Sequence, residues 1–295
     1  MGHNLTDKGI HSVFFLVALF SITALGLIMV FLCKEGAGIL SHVSLRDFLF
    51  GHYWYPTDEP PDFGIFPLIA GSLSVTVLSG LMAVPLGIMT AVYLAEIASP
   101  KVAEVVKPIV ELMASMPSVV IGFFGMVVVA PFIQDLFNIP VGLNLFNASL
   151  MLAFMAVPTI CSISEDAIFS VPMALKEASF ALGASHFETI AGVVLPASLS
   201  GICTAVILGL SRAVGETMVV LMAAGGAAMI PGSVFDPVRP MPASIAAEMA
   251  EAPFGGEHYH ALFAIGIVLF LFTFVFNMIA DHISYRFRQV GEASL

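Results

Sequence analysis

Two ionisable residues stand inside a long apolar stretch: Arg212 and Glu216, in Gly209-Leu210-Ser211-Arg212-Ala213-Val214-Gly215-Glu216-Thr217-Met218. On a continuous helix a spacing of four puts them on one face, where they can pair. An arginine at the centre of a membrane helix costs about 2.5–3.5 kcal/mol on insertion scales, so such a residue marks a functional site by default. Arg before Glu is the less favourable order on a helix, which makes stability alone a poor reason for the pair. A guanidinium presents a planar fork matched to two oxygens of an oxyanion. Arg212 is therefore expected to contact a passing anion, with Glu216 orienting it or competing with the anion for it; Thr217 is placed with them. The competing reading is an ion pair that pins this helix to a neighbour. Glu165 and Asp166 read as solvated helix-end acids rather than a paired-carboxylate site. His258 and His260 lack further ligands, and Cys33, Cys161 and Cys203 lack metal-ligand spacing and read as packing residues. No metal, cofactor or catalytic residue is expected. The absence of a G-x-x-x-x-G-K-[ST] loop means that any ATP hydrolysis belongs to another chain.

The elements that must carry these residues are membrane helices. Of 295 residues, 59% are hydrophobic and 11% charged, with a mean hydropathy of +1.00; a soluble globule carries about a quarter charged residues. Crossing a bilayer takes about 20 helical residues. Apolar runs of that order lie near 12–33, 67–97, 114–137, 147–168, 198–224 and 261–280, giving an all-α membrane protein of six helices. The first run is too long for a signal peptide and no small-residue cleavage site follows it, so it reads as an uncleaved anchor. Lys8, Lys101, Lys107, Lys176, Arg286 and Arg288 fall on one side, against Lys34, Arg46 and Arg239 on the other, which predicts both termini in the cytoplasm.

Between the spans, 36–66 is expected to be an extended outer loop whose His52-Tyr53-Trp54-Tyr55 aromatics sit at the membrane interface. A second outer excursion, 224–258, is rich in proline and encloses a short helix over 243–252, outside the membrane or dipping shallowly into it. Gly201, Ala205, Gly209 and Ala213 recur every four residues and read as a packing seam. Pro117 to Gly125, at the start of the third span, is either locally irregular and cavity-lining or a plain interfacial helix start. The net charge is −11, and ten acids (Glu35, Asp47, Asp58, Glu59, Asp62, Asp135, Asp236, Glu248, Glu251 and Glu257) fall in the outer loops. Their field disfavours direct capture of a free anion and favours delivery by a separate binding protein.

The segment Glu177 to Pro196 is a water-compatible insert between two spans: helix formers after Pro172, a break at Gly183, then Ser185-His186-Phe187-Glu188 and a stop at Pro196. An ordinary amphipathic cytoplasmic loop would also fit. Its pattern resembles the EAA loop of ABC-importer permeases (E-A-A, three residues, G, nine residues, I-x-L-P), with Ser179 for the second Ala and Val193 for Ile. Phe63 to Ser72, Ala83-Val84-Pro85-Leu86-Gly87, Tyr93 to Ala98, Pro117 to Gly125 and Gly209 to Met218 together resemble phosphate permeases of the PstC type over about residues 60–285. In that family the third-span motif usually has Tyr where Ile121 stands, and the sister subunit PstA follows G-E-T with A-P where this chain has Met218-Val219.

The resemblance implies a type I importer (MetI-like) permease fold: anchor 1–35, outer loop 36–66, five-helix core 67–285 and cytoplasmic tail 286–295. It implies coupling to ATP-binding subunits through 177–196, with Glu177, Ala178, Gly183, Leu195 and Pro196 carrying the contact. The implied partners in the cell inner membrane are a homologous PstA-like permease wrapped by the first span, two PstB-like ATPases and a PstS-like phosphate-binding protein outside. Membrane lipids surround the chain and no nucleic acid is involved. The competing readings are a permease for another oxyanion, the sister subunit, and an ion-coupled secondary transporter using Glu216.

Overall fold

The computed structural model describes the backbone of residues 3–292 and the side chains of 10–282 except Ser12. The side chains of Lys8, Arg286 and Arg288, three of the charges behind the orientation expectation, and residues 293–295 of the expected tail lie outside what is described. Six segments are long and apolar enough to cross a membrane: Val13–Ser41, Phe66–Ile97, Ser118–Phe137, Leu145–Phe169, His186–Val214 and Glu257–His282. They are built from α1 (His3–Ala37), α3 (Phe66–Val92), α5 and α6 (Ser118–Phe124 and Ala130–Phe137), α7 (Leu145–Phe169), α9 and α10 (His186–Thr189 and Leu195–Val214) and α13 (Glu257–Glu292). Shorter helices complete the chain: α2 (Leu45–Phe50), α4 (Pro100–Ser115), α8 (Met173–Ala181), α11 (Met218–Ala223) and α12 (Met241–Glu248). The protein is thus a predominantly helical, multi-pass membrane protein.

α7 is the centre of the bundle, packed most extensively on α3 and α10. Small residues permit this approach. A Cβ on Gly87 or on Gly209 would fall 2.7 or 2.5 Å from Ile160, and one on Gly201 would fall 2.4 Å from Ala167. Ala205 and Ala213 are buried on the same side of α10, so the four-residue repeat of small residues is a seam against α7. α1 lies at the periphery and packs along α13, with Phe31 edge-on to Phe263 and Gly36 against Ala264.

Three spans contain a π turn: Tyr93–Ile97, Gly125–Val129 and Ile190–Val194. The last two directly precede Pro131 and Pro196. Proline has no N–H and its ring crowds the carbonyl four residues back, and a widened turn absorbs both defects without ending the helix. The expected stop at Pro196 is therefore not seen. Helix continues from His186 to Val214, so the fifth span begins inside the 177–196 segment and ends earlier than the 198–224 run suggested.

The expectation of an extended loop over 36–66 is also corrected. Residues 38–65 fold into a cap containing α2 and an antiparallel pair, β1 (Trp54–Tyr55) with β2 (Asp62–Phe63). Ile39, Phe48, Trp54, Phe63 and Ile65 form one apolar cluster with Met241, Leu262 and Ile265. Trp54 is 2% exposed, and of the expected interfacial aromatics Tyr53 and Tyr55 face outward. Gly51 and Gly64 let the two arms touch, since a Cβ on Gly64 would lie 2.4 Å from the Gly51 carbonyl carbon. α12 forms where a short helix was expected, starting two residues earlier and ending four residues earlier, with Met241 to Ser244 buried and the Met241 N–H donating to Ser72 Oγ.

Candidate functional site

The fifth span carries Arg212 in its last turn, and the helix stops two residues later at Val214. Gly215, Glu216 and Thr217 form an irregular link before α11. The shared helical face proposed for Arg212 and Glu216 therefore does not exist, because the helix that would create it ends between them. Glu216 turns to its own chain, accepting from the backbone N–H groups of Met218 (3.0 Å) and Val219 (3.4 Å) and so capping α11. Thr217 occupies the position before α11, its hydroxyl donating weakly to the Gly215 carbonyl at 3.4 Å. Arg212 is exposed and has no hydrogen-bond or ion-pair partner among the described residues.

The depth of this break follows from its neighbours. Gly209 abuts Ile160, in the middle of α7, and Leu210 abuts Gly80, in the middle of α3. α11 then packs on the start of the third span, where a Cβ on Gly122 would lie 3.1 Å from the Met218 carbonyl and one on Gly125 would meet Met151 and Ala223. Pro117–Gly125 and Gly209–Met218, far apart in sequence, are thereby brought into contact. Ile121 is 3% exposed in the cluster holding Val219 and Val220, so its side chain serves packing. Irregular backbone and a lone guanidinium at mid-bundle are tolerated at membrane depth only beside water or further protein.

At one end of the bundle, 177–196 makes a tight helix–turn–helix. Gly183 has φ +88°, its N–H bonds to the Phe180 carbonyl (2.9 Å) and the Ala184 N–H to that of Ser179 (3.3 Å), a Schellman closure of α8. Ser185 and Glu188 form a reciprocal capping box that starts α9. The hydroxyls of Ser179 and Thr189 meet at 2.9 Å, both buried, and pin the two arms. Glu177, Ala178 and Gly183 are exposed, as are Leu182 (91%) and Phe187 (77%) at the tip. Leu195 and Pro196 are placed differently: both lie in the fifth span, Leu195 packed on the cluster of Leu94, Ile168 and Val194.

Other polar residues resolve into structural partners. Glu165 is not a solvated helix end: it is 13% exposed and bonded to Lys107 at 3.3 Å, whereas Asp166, 73% exposed, is. Burial works against the Lys107 ammonium, but its hydrogen bond to Glu165 and the charges of Glu165, Asp166 and Glu111 outweigh it and hold its pKa above the ordinary lysine value. In the cap, Glu248 accepts from Trp54 Nε1 (3.0 Å) and Arg239 (2.6 Å) and contacts His258 Nε2 (2.8 Å), beside a cleft of about 630 Å³. His260 bonds the Glu35 carbonyl instead. This hub was illegible in sequence because Trp54 lies almost two hundred residues before its acceptor, and Arg239, Glu248 and His258 converge only once 224–258 has folded.

Residues 83–289 match the family described as binding-protein-dependent transport system inner membrane component. The chain is 38% identical over 271 residues to a probable ABC transporter permease protein, YqgH, of Bacillus subtilis, covering 91% of this chain and 88% of that one. It is 33% identical over 301 residues to the phosphate transport system permease protein PstC of Mesorhizobium japonicum, covering 96% and 91%. Among solved structures, a chain of a bacterial ABC transporter involved in alginate import aligns with a TM-score of 0.64 at 18% identity, over 95% of this chain and 98% of that chain. A chain of the MetNI methionine ABC transporter aligns at 0.60 and 22%, over 76% and 97%. The family match and the likeness of fold agree with the helical bundle, and the chain belongs to the inner-membrane permease components of binding-protein-dependent ABC importers.

Proposed function

We propose that this chain is the PstC-like permease subunit of an ATP-driven phosphate importer in the cell inner membrane, with both termini in the cytoplasm. The observation that carries the reading is Arg212: an exposed guanidinium without a partner among the described residues, beside a broken helix at the middle of the bundle. A planar donor fork there suits a tetrahedral oxyanion. Glu216, held by the amides of Met218 and Val219, shapes the link and keeps a negative charge close to the path; Thr217 adds a hydroxyl. A second, homologous PstA-like permease would close the open side of the break, and the peripheral first span would wrap it. The likeness to PstC chains supports phosphate over other oxyanions.

The exposed turn at 177–196 is assigned to docking on two PstB-like ATP-binding subunits, with Glu177, Ala178 and Gly183 at the contact and Leu195 and Pro196 anchoring the segment in the fifth span. A PstS-like binding protein would deliver phosphate at the opposite, capped end. Residues 1–35 then act as the anchor, 36–66 as the outer cap, 67–285 as the transport core and 286–295 as the cytoplasmic tail. ATP-driven closure of the ATPase pair would displace the turn and rock the spans, opening the Arg212 site alternately to the two sides.

The test is uptake of labelled phosphate at micromolar concentration in cells lacking the chain and re-supplied with wild type or Arg212→Ala, with excess sulfate or molybdate as competitor. Restoration by wild type alone, indifferent to the competitors, is the expected outcome. Competition by sulfate would move the substrate to another oxyanion, and full activity of Arg212→Ala would remove the arginine from the pathway.

A further inference from the structure

Lys176 stands one residue before the exposed Glu177, on α8. Its ammonium donates to Oε1 of Glu96, eighty positions earlier, and the two side chains are only 14% and 8% exposed. Two charges taken this far out of water hold each other firmly, because separating them leaves each one buried without its counter-charge. Glu96 belongs to the π turn Tyr93–Ile97 that ends the second span. A π turn interrupts the regular hydrogen-bond ladder and is a natural hinge. Leu94 of this turn shares an apolar cluster with Val194, from the π turn at the start of the fifth span, with Ile168 at the end of α7 and with Val171 in the link to α8. α8 itself packs chiefly on α9 and the π turn that follows it, within its own segment. The segment thus meets the bundle in three ways: by the short link 170–172 from α7, by continuous helix into the fifth span, and through Lys176 onto the second.

We propose that Lys176 and Glu96 are a positioning pair that transmits displacement of the 177–196 turn to the second span, so that the second and fifth spans move together during transport. The pair touches neither substrate nor nucleotide. It acts by making the turn and the hinge of the second span one mechanical unit, where the covalent links to α7 and to the fifth span alone would let the turn swing without moving Phe66–Ile97. The inference rests on the reading of 177–196 as the ATPase-docking turn. The Lys107–Glu165 contact, whose lysine is 41% exposed, joins α4 to α7 and provides a control outside this linkage.

The experiment uses the whole complex, with its ATP-binding subunits and binding protein, in proteoliposomes, and reads phosphate taken up per ATP hydrolysed. Lys176→Glu, Glu96→Lys and the milder Glu96→Gln are compared with the double reversal Lys176→Glu/Glu96→Lys and with Lys107→Met. The expected result is a fall in the uptake-to-hydrolysis ratio of about two- to thirtyfold in the single variants, the range for residues that carry coupling. The fall is read on complexes that retain their ATP-binding subunits and appears beside whatever drop in melting temperature a lone buried charge causes, with recovery in the double reversal and no change of the ratio in Lys107→Met. A pair that is merely structural would shift the melting temperature and leave the ratio alone. That result, or a double reversal that assembles and stays uncoupled, overturns the proposal. Should the reversals fail to assemble, Glu96→Gln decides by the same ratio. Undiminished retention of ATP-binding subunits after replacement of 177–187 by a Gly-Ser linker would instead overturn the docking reading on which the proposal stands.

Discussion

Ser179 occupies the position where the E-A-A pattern has its second alanine, and the structure gives its hydroxyl a partner, Thr189, inside the turn. Both groups are shielded from water, so deleting one leaves the other buried and unbonded, whereas deleting both removes the demand as well as the supply. Ser179→Ala is therefore expected to destabilise the turn by about 1–3 kcal/mol. Ser179→Ala/Thr189→Val should recover most of that loss, as read by thermal unfolding of the purified complex. A double variant as unstable as the single one would show that the hydroxyl pair is incidental. Arg212 is the opposite case at the same scale: a charge whose partner is missing rather than one whose partner is hidden. Among the acids expected to form an outer field, Glu35, Glu248 and Glu257 meet histidines or Arg239, and Asp236 accepts from the N–H groups of Gly232 and Ser233. They hold the cap together as well as charging it.

At the scale of elements, helix breaks decide the architecture. Gly183 has a left-handed backbone, yet a Cβ there would meet nothing within 4 Å. The demand is conformational and not one of space. An L-residue in this region costs about 1–2 kcal/mol, with Asn cheaper because its short side chain tolerates it. Transport coupling and stability should therefore fall in the order Gly183→Asn, Gly183→Ala, Gly183→Val, the β-branched residue being worst. A loss that tracks side-chain volume instead, with Asn as harmful as Val, would place the ATPase surface against this glycine. The π turns at Gly125–Val129 and Ile190–Val194 accommodate a proline without ending their spans, while the break at Gly215–Thr217 does end one. Local sequence does not separate these outcomes, because Pro196 looks like a stronger breaker than Gly215. The difference lies in tertiary contacts: Val194 and Leu195 before Pro196 and Ile202 after it are packed in one cluster, whereas Gly215 is exposed and Glu216 is drawn to the amides of α11.

For the whole molecule, the exposed arginine and the open backbone beside it set function against stability. A chain without its partners leaves Arg212 facing lipid, at a cost of about 2.5–3.5 kcal/mol on insertion scales. Arg212→Leu should consequently raise the amount of chain that accumulates when it is expressed alone, while abolishing phosphate uptake by the full complex; immunoblots and uptake assays on the two strains check both halves. A fall in both would identify the arginine as a fold-forming residue. Co-expression with a homologous permease should narrow the difference in abundance, since a covered break no longer depends on lipid.

The chain by itself determined the number of spans, the presence of Arg212 in one of them and the helix–turn–helix at 177–196. These follow from properties summed over local stretches: twenty apolar residues suffice to cross a bilayer, and Gly183 with a Ser185–Glu188 capping box suffices to turn a helix. Only the tertiary structure decided that Arg212 and Glu216 part company, that Trp54 is buried on Glu248, and that Lys176 reaches Glu96. Each depends on residues tens to nearly two hundred positions apart, and on which of two competing partners a group finds once α3, α7 and α10 have closed on their small-residue seam. A spacing of four promises a shared face only while the helix lasts. Whether it lasts past Val214 is settled by α11 finding its place against Gly122 and Gly125.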